Sequence, residues 1–364
     1  MNQLLEIYSD DIISSFGPTT ATNLSRLLEG EISHDQITRF LSYSSFSSSY
    51  LWLSVKQTVR EIENETGVLI FDDSIVEKPY TKENELITWH YDPSKNRSVK
   101  GINILNAIYH VDNVNIPVAF EIINKPIEHL DKKTGQVKRR SLVTKNDLLV
   151  QMLKTSHQNN LLYHYVLADN WYASVNNLKE IKVNFKKDFV MAIKSNRLVA
   201  LSLKDKRQGR FVNIKALNLE PNTAKPVYLK GIDFPILLTK QIFKNKDESQ
   251  GVLYLICSNL KLTSEQITTL YQKRWNIEVF HKSIKCNTSV AKSPTRMKTT
   301  QYNHVFASIY GAFKLELLKL KHHTNHFTLK AQLYLKALQA SFAQLQKLTA
   351  SLQLIMKIFM LRSR

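Results

Sequence analysis

A mixed α/β fold with helical regions at both ends is what this sequence of 364 residues predicts. Two short apolar runs, Val68-Leu69-Ile70-Phe71 and Tyr165-Val166-Leu167-Ala168, read as buried strands, and each runs into aspartates. Stretches with helical spacing separate and follow such strands. A β-rich segment punctuated by Asn, Asp, Gly and Pro interrupts the alternation before helices resume.

The first 65 residues read as helices. Leu4, Leu5, Tyr8 and Ile12 recur at helical spacing until Gly17-Pro18 breaks the pattern. Thr20 to Leu28 forms a short helix stopped at Glu29-Gly30, and Ser33-x-x-Gln36 is a capping box opening a helix through Leu41. That outline is either a plain αα-hairpin or a helix-turn-helix whose second helix exposes His34, Gln36, Thr38 and Arg39. Ser42 to Ser49 reads as a linker and Tyr50 to Ile62 as a third helix. Strand Val68 to Phe71 ends in Asp72-Asp73-Ser74. Strands Gly101 to His110 and Ile116 to Ile123 follow, with a turn at Asp112-Asn113. His90 and Tyr91, with Lys95, Arg97 and Lys100, fall in a basic loop before them.

Leu142 to Lys154 is an amphipathic helix, Tyr165 to Ala168 a strand, Ser174 to Ile181 a helix and Phe189 to Ile193 a strand. Within the β-rich segment, Val227 to Leu229, Ile236 to Thr239 and Val252 to Cys257 are strands. One long helix, Ser264 to Lys285, comes next, and then two more, Tyr302 to Leu320 and Thr328 to Met360. The expected organisation is a helical region 1–65, a core at 66–200, a β-rich insertion at 201–260, a closing helix at 261–290 and a basic helical region at 291–364.

Composition narrows the function. Lys and Arg number 50 against 31 Asp and Glu, a net +19 that suits a polyanion, nucleic acid before membrane. The excess is concentrated: from Val279 to Arg364 there are 14 basic residues and one acid, Glu316. Two smaller basic stretches, Lys132-Lys133 with Lys138-Arg139-Arg140 and Lys204 to Arg210, read as exposed loops or hairpin tips. Two cysteines, Cys257 and Cys286, make no disulfide framework, and no C-x-x-C pair points to structural zinc. His322-His323-x-x-His326 has no acid or cysteine beside it in sequence and reads as surface. With no secretory signal and no long uncharged apolar run, a reduced, soluble, cytoplasmic protein is expected.

Three carboxylates stand out. Asp73 and Asp169 sit at the ends of the two apolar strands, where open α/β sheets place their active sites, and Glu278 lies on the helix that follows the β-rich segment. Carboxylates gathered from separate elements repel one another, and hard divalent ions relieve that repulsion; two such ions serve phosphoryl transfer. Taken singly, each aspartate is better read as a turn or a cap. Tyr271, Arg274, Glu278 and Lys285 share one helical face, which sets a carboxylate among groups that bind phosphate.

Tyr-x2-Arg-x3-Glu-x6-Lys, as Tyr271, Arg274, Glu278 and Lys285, resembles the Y-R-E-K signature of bacterial insertion-sequence DDE transposases. Phe71-Asp72-Asp73-Ser74 looks like the family's first-aspartate block, with Asp73 as the acid before a small hydroxyl residue. Ala168-Asp169-Asn170-Trp171-Tyr172 looks like the second. The resemblance covers roughly residues 65 to 290. It implies an RNase H-like core interrupted by a β-rich insertion, with Asp73, Asp169 and Glu278 as catalytic residues and ligands of two Mg2+ or Mn2+ ions. It implies a homodimer acting on terminal inverted repeats, cutting double-stranded DNA and pasting the element into target DNA through a hairpin. Tyr271, Arg274 and Lys285, with Lys282, Lys292, Arg296 and Lys298, would contact DNA, in a bacterial cytoplasm and nucleoid.

One departure stands against the pattern. Better-known members support a flipped base with a tryptophan from the insertion, and this chain has none between residues 172 and 274. Tyr228, Phe234 or Trp171 would have to take that role. Two other functions fit the same composition: an RNase H-like nuclease that cuts without joining, and a non-catalytic DNA-binding protein, either a regulator or a decayed transposase.

Overall fold

The computed structural model describes residues 3–132, 134–244 and 248–362, the last ten by backbone alone. Lys133 of the first basic loop therefore lies outside the described residues. The chain opens with four helices, α1 (Gln3–Ser14), α2 (Ala21–Leu27), α3 (His34–Tyr43) and α4 (Ser48–Ile62). Thr20 caps α2, and Ser33 and Gln36 form the capping box at α3. The serine-rich stretch is shorter than a linker, because Ser47 caps α4 and Ser48 begins it. His34, Gln36, Thr38 and Arg39 are exposed on α3, although the Gln36 side chain is spent on the cap.

The core follows as β1 (Val68–Glu77), β2 (Thr88–Asp92), β3 (Arg97–Val111), β4 (Val114–Ile122), β5 (Ile127–Leu130), β6 (Val137–Arg140), α5 (Lys145–Gln158), β7 (Tyr165–Ala168), α6 (Val175–Lys179) and β8 (Asp188–Ile193). A π-helical turn, Glu180–Asn184, extends α6. β1 pairs antiparallel with β3 and parallel with β7; β3 pairs antiparallel with β4, and β7 parallel with β8. The order β4-β3-β1-β7-β8 is the RNase H-like arrangement. β9 (Leu198–Ala200) comes just before residues 201–260, which supply α7 (Leu203–Arg207), β10 (Val212–Asn213), β11 (Ala224–Leu229), β12 (Ile236–Lys244) and β13 (Gln250–Cys257). β13 pairs antiparallel with β8, so the insertion extends the core into one eleven-stranded sheet among the described residues.

The sequence expectations need correction at β1, at β2 and in the long helix. β1 does not stop at Phe71: it continues through both aspartates, because the fifteen-residue β3 pairs with all ten of its residues. Gly101 makes that pairing possible, since a Cβ there would lie 2.3 Å from the Val76 carbonyl oxygen. His90 and Tyr91 belong to β2, hydrogen-bonded to β3, rather than to a loop. For the basic stretch after Leu130 the hairpin reading holds: it runs into the second strand of the β5–β6 hairpin, where Lys138 pairs with Asp131 and Arg139 with Glu128.

The long helix also divides, into α8 (Ser264–Gln272) and α9 (Trp275–Asn287). Neither glycine nor proline breaks it. Backbone bonds of the i to i−3 type tighten the chain from Lys273 to Ile277, and Asn276 Nδ2 donates to the Lys273 carbonyl at 2.8 Å.

α10 (Lys298–His322) and α11 (His326–Arg362) complete the chain. α10 is buried through most of its length against α1, α3, α4 and β4. Phe306 stacks on Phe46 with ring centres 4.5 Å apart, and buried Tyr8 bonds His304 Nδ1 at 2.8 Å. Residues 1–65 therefore share one core with the C-terminal region. The start of α11 packs on α1, with Lys330 Nζ donating to the Ser15 carbonyl at 2.8 Å, whereas every residue from 331 to 352 is exposed. Among the described residues no helix is long and apolar enough to cross a membrane.

Candidate active site

Strand geometry decides which carboxylates meet. Successive side chains on β1 point to opposite faces of the sheet, so Asp72 and Asp73 cannot serve one site equally. Asp73 turns towards α5. Its oxygens accept from Lys145 Nζ at 2.8 and 3.0 Å, from Tyr172 OH at 2.5 Å and from Asn103 Nδ2 at 2.9 Å. Burial alone would push its carboxyl up, but Lys145 and these hydrogen bonds outweigh burial and hold it below the usual carboxylate range.

Asp72 turns towards α9. Arg274 Nη1 lies 3.1 Å from Glu278 Oε1 and 3.5 Å from Asp72 Oδ2, bridging the two acids. Carrying the β1–β7 register two places past Ile70–Leu167 sets Asp169 opposite Asp72. Asp169 Oδ1 accepts the Trp171 amide at 2.9 Å, closing the turn that aims this carboxylate. Burial and repulsion from Asp169, Glu278 and Asp73 push the Asp72 carboxyl up to about 8, with Arg274 opposing. Burial also raises Asp169, against the Trp171 amide and Arg274. The four acids thus form one electrostatic cluster in which Asp72 feels Asp169, Glu278 and Asp73, and Asp169 is raised further by Asp73. Asp72 is the acid on which Asp169 and Glu278 both act. Asp73 is committed to Lys145.

Arg274 is held by more than its acids: its guanidinium carbon stands 5.6 Å from the Tyr271 ring centre. An oxygen each of Asp72 and Glu278 and a ring nitrogen of His281 lie within 4.8 Å of one another. Burial pushes His281 down to about 3, so its imidazole is neutral. These donors suit a divalent cation: buried carboxylates that repel one another gain most from a compact positive charge, and a neutral imidazole adds a lone pair.

The remaining basic residues are placed less centrally. Lys285 is exposed on α9, with Glu278 among its charged neighbours. Lys282 is also exposed and lies over Phe327. Lys292 donates to the Phe16 carbonyl, Lys298 pairs with Glu85, and Arg296 is exposed. Of the candidate stacking aromatics, Phe234 packs against the core, Tyr228 lies under Lys206, and Trp171 is 56% exposed beside Asp169 with Lys145 and Lys194 over its ring. His326 is not a free surface histidine: Nε2 meets buried Glu316 at 2.8 Å.

Sequence reasoning set Asp72 aside in favour of Asp73 and gave no role to Lys145, Tyr172 or His281. The spacing Asp72-x-Ser74 and the i, i+3 pair Glu278-x-x-His281 were the available signals for two of them.

Comparison with known proteins gives the same direction. A family described as "DDE superfamily endonuclease" matches residues 1–215, and one described as "Transposase DDE domain" matches residues 131–310. No curated protein matches the chain. Two solved structures are weakly similar. One is a Drosophila P element transposase strand transfer complex, 15% identical over 50% of this chain and 36% of that one, TM-score 0.26. The other is Kluyveromyces polysporus Argonaute with a guide RNA, 13% identical over 79% and 33%, TM-score 0.21. The chain thus spans about a third of the length of each, and likeness at this level carries no argument. The first family match extends over more than half of the sequence and includes Asp72 and Asp169: the chain belongs to the DDE superfamily endonucleases.

Proposed function

We propose that this protein is the transposase of a bacterial insertion sequence, of the Y-R-E-K kind, cutting at terminal inverted repeats and joining the freed 3′ ends to target DNA. The observation that supports the reading is the bridging of Asp72 and Glu278 by Arg274, with Asp169 acting on Asp72, in a strongly basic chain. Asp72 replaces Asp73 as the first acid of the set, and Asp73 becomes the anchor of Lys145.

Asp72, Asp169 and Glu278 would hold Mg2+ or Mn2+, as one or two ions. When bound, such an ion supplies the Lewis acidity that activates water or a 3′-hydroxyl and stabilises the leaving oxygen. Arg274 neutralises the acids and offers its remaining N–H groups to a phosphate oxygen. Lys285, Lys282 and Arg296 carry the duplex by charge alone. Trp171, exposed next to Asp169, stacks an end base that has left the helix, the step a hairpin route needs.

A homodimer fits the chain. On α11, Leu335, Leu338, Phe342, Leu345 and Leu352 are all exposed at spacings of three, four, three and seven residues. Lys336 and Lys347 lie off this stripe, so a second copy could face it without like-charge repulsion.

The test is incubation of purified protein with Mg2+ or Mn2+ and DNA carrying the inverted repeats that flank its gene. Nicking at the repeat ends, followed by strand-transfer products, is expected, with both lost in Asp72→Asn and Glu278→Gln. Nicks without joining would leave a nuclease, and binding without any cleavage would leave a DNA-binding protein.

A further inference from the structure

We infer that His281 is a direct nitrogen ligand of the active-site cation, making this a mixed carboxylate–imidazole site that selects Mn2+ over Mg2+. The inference rests on the proposed metal-dependent function and goes beyond its three acids.

Three observations carry it. His281 lies three residues after Glu278 on α9, so both side chains project from one face of that helix. One of its ring nitrogens and single oxygens of Asp72 and Glu278 fall within 4.8 Å of one another, close enough for one ion to draw all three in. The ring is also fixed from behind: the amide of Asn106, the β3 partner of Asp72, lies 3.2 Å from His281 Nε2, and with its oxygen turned to the ring it accepts the Nε2–H. An acceptor for the second ring N–H is how proteins orient a ligating histidine.

The other end of the Asn106 amide decides the sense of that contact. Asn106 is fully buried, and its Oδ1 as placed has no hydrogen-bond partner among the described residues. Turning the amide end for end gives Oδ1 the His281 Nε2–H, which leaves the ring's lone pair, on Nδ1, for a cation.

The choice of metal follows from the donors. Mg2+ prefers an all-oxygen octahedron and keeps its waters, whereas imidazole favours first-row transition ions. Replacing one oxygen position by nitrogen therefore weakens the case for Mg2+ and strengthens it for Mn2+. A hydrophobic residue at 281 would leave the carboxylates in place and remove the discrimination.

Mn2+ alone is the probe. Titration of the full chain, followed by electron paramagnetic resonance, gives the affinity, and pulsed measurement of nitrogen hyperfine coupling reports whether imidazole binds. Wild type is expected to show a 14N coupling that changes to the 15N pattern when the protein is grown on 15N-histidine, a readout that needs no variant. His281→Phe should lose the coupling and bind Mn2+ about tenfold more weakly, with Mg2+ affinity within about twofold of wild type. If that variant does not fold, His281→Asn serves, and the isotope experiment still decides. Mn2+ binding that Asp72→Asn and Glu278→Gln abolish, but without nitrogen coupling in wild type, would overturn this inference and leave the proposed function standing. Binding indifferent to those two variants would overturn both.

Discussion

Asp72 and Asp73 are adjacent on β1 and face opposite electrostatic surroundings: Arg274 lies 3.5 Å from Asp72, whereas Lys145, Tyr172 and Asn103 saturate Asp73. One carboxylate is pushed up among other acids and the other is held down among donors. The first is suited to capture a cation; the second is suited to hold a lysine in place. Substituting them separates these roles.

Asp72→Asn should abolish cleavage, by roughly 10³-fold or more, without loss of stability, because it removes a charge that its neighbours repel. Asp73→Asn should instead destabilise the fold by about 2 kcal/mol, since it leaves the half-buried Lys145 without its counter-ion. Urea denaturation and single-turnover cleavage, run on both variants, distinguish the two effects.

Arg274→Lys keeps the charge and loses the fork that reaches Glu278 and Asp72 together. A fall in the cleavage rate of about 100-fold is expected, with affinity for uncut duplex nearly unchanged. Rates measured at saturating protein, beside gel-shift affinities, would show whether the loss lies in chemistry or in binding.

Trp171→Ala should weaken capture of an unpaired end base by about 1–3 kcal/mol, the usual worth of stacking on an aromatic ring. DNA carrying 2-aminopurine at the terminal position reports this directly. Its fluorescence should respond to wild type and to Trp171→Phe, and not to Trp171→Ala.

Leu338→Glu combined with Leu345→Glu sets like charges into the exposed stripe of α11. Sedimentation velocity should then give a monomer where wild type gives a dimer, with an unchanged circular dichroism spectrum for the rest of the chain.

Glu316 links stability to pH. Burial opposes its ionisation, but hydrogen bonds from His326 and Lys319, the Lys319 charge and the Asn115 amide hold its carboxyl below the ordinary range. A depressed value in the folded state means stabilisation in place above about 4.3, the unfolded value, and lost as pH falls through the folded one. Glu316→Gln should therefore be less stable than wild type near pH 6 by about 1–2 kcal/mol, and the gap should close in acid. Thermal melts at a series of pH values test the sign.

Much of the fold was legible because its signals are local. Tyr165-Val166-Leu167-Ala168 is β7 to the residue, and the Ser33–Gln36 capping box opens α3 as its spacing implied. The Tyr271, Arg274 and Glu278 spacing survived the break between α8 and α9, because that break costs only a tightened turn. What escaped depends on partners far away in the chain. Strand alternation says that only one of Asp72 and Asp73 can face α9, but not which one; that is set by β1 pairing with β3 through both residues. Lys145 is 72 residues from Asp73, and His281 is 175 from Asn106. Glu316 looked like a lone acid in a basic tail, yet the left-handed residue His323 turns α11 back so that His326 reaches it.

The bond between Tyr8 and His304 spans 296 positions, and Lys314 reaches back to Glu6 and Asp10. A ribosome adding roughly 5–20 residues per second needs on the order of 15–60 s to pass from the first partner to the second. Throughout that interval the apolar faces of α1 and α3 have no α10 to cover them. The newborn chain therefore waits on its own C-terminal region, exposed to chaperones and proteases. A message cut short after Asp169 but before Tyr310 would yield a polypeptide with both strand aspartates and no closed core to hold them.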